Sequence, residues 1–194
     1  MSDGDPDDGV FTTRRLLDMN MARGNYSDGL VREIDSHIEN STANVFRIMA
    51  EIGVMEGAQG ARPQGTKPAE PFRKPWLHGL WHKHYTQAAF MAQNLQLHWS
   101  RGRLEALIKA SSGGRPFFDE QAARELATGF VQGGYLGRKD DDKLTGEWIV
   151  FAVKNGVNHY LTLGHHGDDE AIWNRVKACA PQFPNLEILR EDRF

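Results

Sequence analysis

Histidine is the residue type here best suited to chemistry near neutral pH, because its imidazole can give or take a proton there. Of the eight histidines, six form two groups if His159 is counted with the pair that follows it. His78, His82 and His84 lie in HGLWHKHY, and His159, His165 and His166 lie in HYLTLGHH, while His37 and His98 stand apart. On a helix His78 and His82 would point the same way and could share a metal. That helix would have to run through Gly79, which also occupies the place of the base in a His-Glu-x-x-His motif. No metal site is expected, and these rings read as packed among Trp76, Trp81 and Tyr85. His165 and His166 follow a strand, where loops often place functional side chains. The acidic Asp168, Asp169 and Glu170 after them more simply serve the start of a helix. His159 interrupts an apolar strand face and needs a hydrogen-bond partner, as a core residue or as an acid/base group. Cys179 is the single cysteine, so an intrachain disulfide is excluded, and its apolar neighbours Val176 and Ala178 suggest a buried thiol.

Anion binding is the second chemistry in view. Residues 62–115 carry nine Lys plus Arg against two Glu, whereas residues 1–56 carry five Arg against eleven Asp plus Glu. In the basic block Trp81 and Trp99 alternate with Lys83, Arg101 and Arg103, and aromatic faces among cations are what single-stranded nucleic acid binding uses. Those residues are the candidate nucleic-acid contacts, with RNA as the candidate partner; the other reading places the aromatics in a core. The acidic segment would then mask the basic one, unless the two are merely separate solvated faces.

Phosphate-binding glycine loops, the dinucleotide fingerprint, the G-x-S-x-G elbow and C-x-x-C pairs are all missing, so no cofactor is expected. No apolar run approaches the roughly 18 to 20 residues of a membrane span, and the start MSDGDPDDG is acidic where a secretory signal is basic. A cytoplasmic protein without a membrane partner is the expectation.

The elements that must position these groups predict an α+β fold. N-terminal helices joined by a Gly/Pro linker lead to a helical segment and a small antiparallel sheet centred on a hairpin. A short helix starts at Thr12 or Thr13, and a longer one opens at Ser27 or Asp28 and carries the stripe Leu30, Ile34, Ile38, Val45, Ile48, Met49 and Ile52, with a possible break at Asn40 to Thr42. Three units follow: an acidic helical segment 1–56, a linker 57–75 rich in Gly and Pro, and an α+β domain 76–194. The stripe in 28–52 offers a second, non-enzymatic reading, a surface for docking a protein partner or for homodimerisation. Helices are expected from Thr86, over 104–110 and after Asp119, the last ending at Gly133 and Gly134. EWIVFAVKNGVNHYLTLG is two β-rich runs around Asn155-Gly156, the dipeptide of a type I′ turn. A two-residue turn sets Lys154 opposite Val157, Ala152 opposite His159, Val150 opposite Leu161 and Trp148 opposite Leu163, with Thr162 on the face of Ile149. Both faces are apolar, so the hairpin should be central. A helix after Asp168 or Asp169 and a strand at 186–189 complete the reading.

From Phe118 to Leu189 the succession helix, Asn-Gly hairpin, helix, strand, with histidines on the hairpin and at its exit, resembles the small bacterial ribonuclease toxins of the RelE and barnase-like group. The resemblance implies a toxin or defence effector that cleaves RNA without a metal, through attack by the 2′-hydroxyl. That chemistry needs a base, an acid and a cation. His159 and His165 would supply the first two, with His84 in reserve, and Arg101 or Arg103 would hold phosphate.

Overall fold

The computed structural model describes residues 12–86, 98–113, 119–140 and 147–192. Among these residues lie six α-helices and one five-stranded mixed sheet, an α+β arrangement with helices packed on both faces of the sheet.

Local chemistry accounts for most element ends. Helix α1 (Thr13–Asn20) begins where Thr12 Oγ1 accepts from Arg15 N, and α2 (Asp28–Asn40) where Ser27 Oγ accepts from Leu30 N at 2.9 Å. The expected break is real: Ser41 takes the left-handed conformation (φ 52°), and the stripe resumes in α3 (Val45–Glu56), closed by Gly57 at φ 67°. Helix α4 (Arg101–Ser112) packs against α5 (Glu120–Asp140), whose N-terminus is capped by Asp119 Oδ1 on Ala122 N at 2.7 Å. Gly133 and Gly134 do not end α5, which continues through them. The helix expected from Thr86 falls on 87–97, outside the described residues. Helix α6 is Asp169–Lys177, and the strand expected at 186–189 is instead a 3-10 turn, Glu187–Arg190.

Strands β4 (Glu147–Lys154) and β5 (Val157–Gly164) are the expected hairpin, central in the order β1-β5-β4-β3-β2. Strand β1 (Asn25–Tyr26) runs parallel to β5, and β3 (Trp81–Tyr85) and β2 (Glu70–Pro71) extend the other side antiparallel. Near the turn the register is as expected, Lys154 facing Val157 and Ala152 facing His159. Beyond Phe151, which faces Tyr160, it shifts by one: Val150 faces Thr162 and Trp148 faces Gly164, leaving Leu161 as the extra residue of a bulge. The shift sends Leu163 to the face of Ile149, where alternation alone would not put it.

One core layer joins Leu17, Leu30, Ile34, Ile48 and Ile52 to Ile149, Phe151, Tyr160 and Leu163; the other joins Trp148, Val150, Ala152 and Leu161 to Ile172, Trp173 and Val176. The described part of 1–56 therefore supplies most of one core layer, and the stripe of 28–52, apart from the half-exposed Ile38, is buried inside its own chain. Residues 57–75 likewise do not divide two bodies: they carry β2, and Thr66 is buried against Glu51 and Lys83.

Candidate functional site

Strand alternation sorts the candidates on β3 onto opposite faces. Trp81 packs on the N-terminal helix layer beside Phe151, ring centroids 6.4 Å apart. Lys83 is only 6% exposed; its Nζ donates to Thr66 Oγ1 at 2.7 Å and to Lys67 O at 2.6 Å, and lies 3.4 Å from Glu51 Oε2. Pairing in the sheet turned Lys83 into the core, whereas Trp81 remains partly exposed at its margin. Trp99 is also structural: its ring stacks on Phe130 at 5.6 Å and its Nε1 donates to Phe130 O. Arg101 is exposed and paired with Glu105, and Arg103 donates to His98 O. The five candidate contacts thus do not converge on one surface.

His82 and His84 lie on the other face, around Trp148. Ring centroids are 5.3 Å apart for His82 and His84, 5.7 Å for His84 and His166, and 4.1 Å for Trp148 and His166. His78 is not with them; it follows a 3-10 turn, so the helical spacing that suggested a shared metal does not exist. No group of three His, Cys, Asp or Glu with metal-binding geometry occurs among the described residues. Burial first, then the charges of His166 and Lys67, lowers the His82 pKa to about 4. His84 is 4% exposed, which removes it as a group that meets a substrate directly.

His159 and His165 occupy opposite ends of β5, separated by roughly 20 Å at the rise of an extended strand. They do not share a cleft. His159 packs edge-on to Phe183, in a cavity of its own. His165 lines a groove of about 760 Å³ between α2 and α6.

That groove exists because β1 covers β5 only at His159 and Tyr160. Past the bulge, side chains meet the open edge: Ser27 Oγ donates to Leu161 O at 2.5 Å, Glu33 Oε2 accepts from Leu163 N at 2.7 Å, and Arg175 Nη2 donates to Leu163 O at 2.9 Å. Glu33 and Arg175 also pair with each other, Nε to Oε1 at 3.1 Å. Such capping keeps a bare strand edge from pairing with another chain. Beneath, burial pushes the Cys179 thiol pKa up, so it is an inert core group.

Two imidazoles line the groove, each held through one nitrogen. His165 Nδ1 lies 2.7 Å from Glu147 Oε1, and Tyr85 donates its hydroxyl to the other carboxylate oxygen at 2.7 Å. His165 is 55% exposed and Glu147 only 12%, so the carboxylate is a buried anchor and the ring faces outward. From the opposite wall, on α2, His37 Nδ1 is 2.7 Å from Thr42 Oγ1. The carboxylates of the groove are already matched: Asp28 pairs with Arg14, and Glu33 with Arg175. Arg32 lines the same groove and makes no ion pair or hydrogen bond among the described residues. The groove therefore offers two oriented imidazoles and a guanidinium that makes no hydrogen bond among the described residues, although its charge helps to hold Asp28 ionised. No family model, no curated protein and no solved structure matches the chain.

Sequence reasoning missed Arg32 and His37. The signal was partial: Arg32 and Ser36 are one turn apart on the face of α2 opposite Leu30 and Ile34, whereas Glu33 and His37, also one turn apart, border the apolar stripe itself. Nothing local tied that face to His165.

Proposed function

We propose that this protein is a ribonuclease that cuts RNA in the groove between α2 and α6, by general acid–base catalysis that needs no metal ion. What supports the reading most is the placement of His165 and His37 on one groove beside Arg32. A hydrogen bond from Nδ1 to Glu147 leaves the His165 Nε2 lone pair outward, the arrangement of a base. In this reading His165 takes the proton of the 2′-hydroxyl, the 2′-oxygen attacks phosphorus, and the bond from phosphorus to the 5′-oxygen breaks. His37 gives the leaving 5′-oxygen a proton, so a 2′,3′-cyclic phosphate and a free 5′-hydroxyl result. Arg32 offsets the charge that builds on the phosphorane, with the half-exposed Arg175 beside it. A role as a toxin or defence effector would follow from such an activity.

Incubating the purified protein with total RNA, with and without EDTA, tests the reading. The expected result is EDTA-insensitive cleavage leaving cyclic phosphate ends, reduced about a hundredfold or more in His165→Ala and in His37→Ala. RNA left intact at micromolar protein over hours, or cleavage unchanged in both variants, would sink it.

A further inference from the structure

An imidazole with an outward lone pair can attack an electrophile as well as take a proton. His165 is set up for this. Its Nδ1 lies 2.7 Å from Glu147 Oε1, and a carboxylate only accepts, so the proton of the neutral ring sits on Nδ1. Its Nε2 makes no hydrogen bond among the described residues, and the ring is more than half exposed where it lines the groove. Attack through Nε2 would leave positive charge on the imidazole. The carboxylate at Nδ1 offsets that charge where it builds.

His37 reaches the same end of the groove. Helix α2 runs alongside β5 in the same direction: Ser27 Oγ meets Leu161 O, and further along Glu33 meets Leu163 N. From that point His37 is four helical residues on, about 6 Å, and His165 is two extended residues on, about 7 Å. The two steps match, so the rings stand level with one another on the two walls. Arg175, which donates to Leu163 O, and Arg32, next to Glu33, stand one step before them. Guanidinium forks match the oxygens of a phosphate. The carboxylates of Asp28 and Glu33, which would repel one, are paired with Arg14 and Arg175.

We propose that this groove also hydrolyses phosphomonoesters, through a phosphoryl group carried on His165. Nε2 attacks phosphorus and the bond from phosphorus to the ester oxygen breaks. His37 gives that oxygen its proton, and the alcohol leaves. A water molecule then attacks the phosphoryl group, the P–Nε2 bond breaks, and its electron pair returns to Nε2. His37 takes the proton of the water, and orthophosphate is released. Arg32 and Arg175 hold the phosphoryl oxygens through both steps. At about 760 Å³ the groove has room for a small phosphorylated alcohol or sugar. This activity uses the residues of the cleavage reading but does not depend on it, because no RNA takes part.

The test incubates the full chain with p-nitrophenyl phosphate in the presence of EDTA and follows nitrophenolate and orthophosphate. Samples are quenched in base, in which a phosphohistidine survives, and mapped by peptide mass. Expected are release of both products and a phosphoryl group on His165 that brief acid treatment removes. His165→Ala, at an exposed position, should abolish the label and lower release about a hundredfold or more. Nitrophenolate leaves without a proton, but the attacking water still needs a base. His37→Ala should therefore give a burst of nitrophenolate and accumulate labelled His165. No turnover and no label at micromolar protein over hours overturns the proposal. So does a label that survives His165→Ala, or one that falls equally on His78, which is exposed and outside the groove. Labelled His165 in a chain that leaves RNA intact keeps this activity and removes the cleavage reading, whereas RNA cut by a chain that never carries a phosphoryl group does the reverse.

Discussion

A histidine's role here depends on what its ring touches more than on where it falls in the chain. His82 sits among Phe72, His84 and Trp148, and its pKa of about 4 lies well below the value of about 6.5 for an unfolded chain. As pH falls, the unfolded chain takes up this proton first. Stability from His82 is thus complete above about pH 6.5 and is lost progressively toward about pH 4, and His159, also lowered mainly by burial, acts in the same direction. Urea midpoints at about pH 7 and about pH 4.5 should show a smaller acid loss in His82→Phe than in the unaltered chain. Equal losses would mean that His82 is solvated. Glu147 contacts no substrate in the proposed reaction, so it is a positioning residue. Glu147→Gln should lower kcat about a hundredfold with little change in KM. A merely structural role would lower the thermal midpoint and leave kcat of the folded protein unchanged.

At the scale of elements, β3 shows how much one buried strut can carry. Lys83 ties β3 and the segment around Thr66 to Glu51 on α3, and Glu51 is 1% exposed, with burial raising its pKa against the pull of Lys83. Removing one partner leaves the other charge buried alone, so Lys83→Met should cost about 3–5 kcal/mol in urea denaturation. Adding Glu51→Gln, which keeps an acceptor for Thr66, should recover more than half of that loss. Strictly additive losses in the double variant would show that the two groups do not act as a pair. The Leu161 bulge has a comparable reach, because it opens the β5 edge that Glu33 and Arg175 cap.

For the whole molecule, the decisive fact is that α1 to α3 form one side of the core. Leu17, Leu30, Ile34, Ile48 and Ile52 are fully buried, several against the hairpin. A chain lacking residues 1–56 should therefore lose its cooperative thermal transition and aggregate, since an apolar sheet face would be bared. A soluble, cooperatively melting truncation would instead support the charge-masking idea, most clearly if it bound RNA more tightly with a steeper salt dependence. Glu56 adds to this coupling. Burial pushes its pKa up, but hydrogen bonds from Tyr160, Asn158 and the N–H groups of Arg23 and Gly24 outweigh that and bring it below the usual range.

The sequence alone determined what neighbouring residues decide together. Asn155 and Gly156 both take positive φ, at 54° and 75°, which is why the hairpin turn and the adjoining register could be read directly. Thr12, Ser27 and Asp119 cap helices for an equally local reason. Strands β1 and β2 have two residues each, too few for any periodicity, and β3 lay hidden in a histidine-rich run that also fitted a helix. Only tertiary structure decided which face each β3 side chain takes, because pairing with β4 sets that choice and a one-residue shift reverses it. It alone also brought α2 to the exit of β5, where contacts such as that of Glu33 with Thr162 span 129 residues. No local preference encodes a meeting at that separation, so His37 looked isolated until packing of α2 on the sheet set it on the same groove as His165.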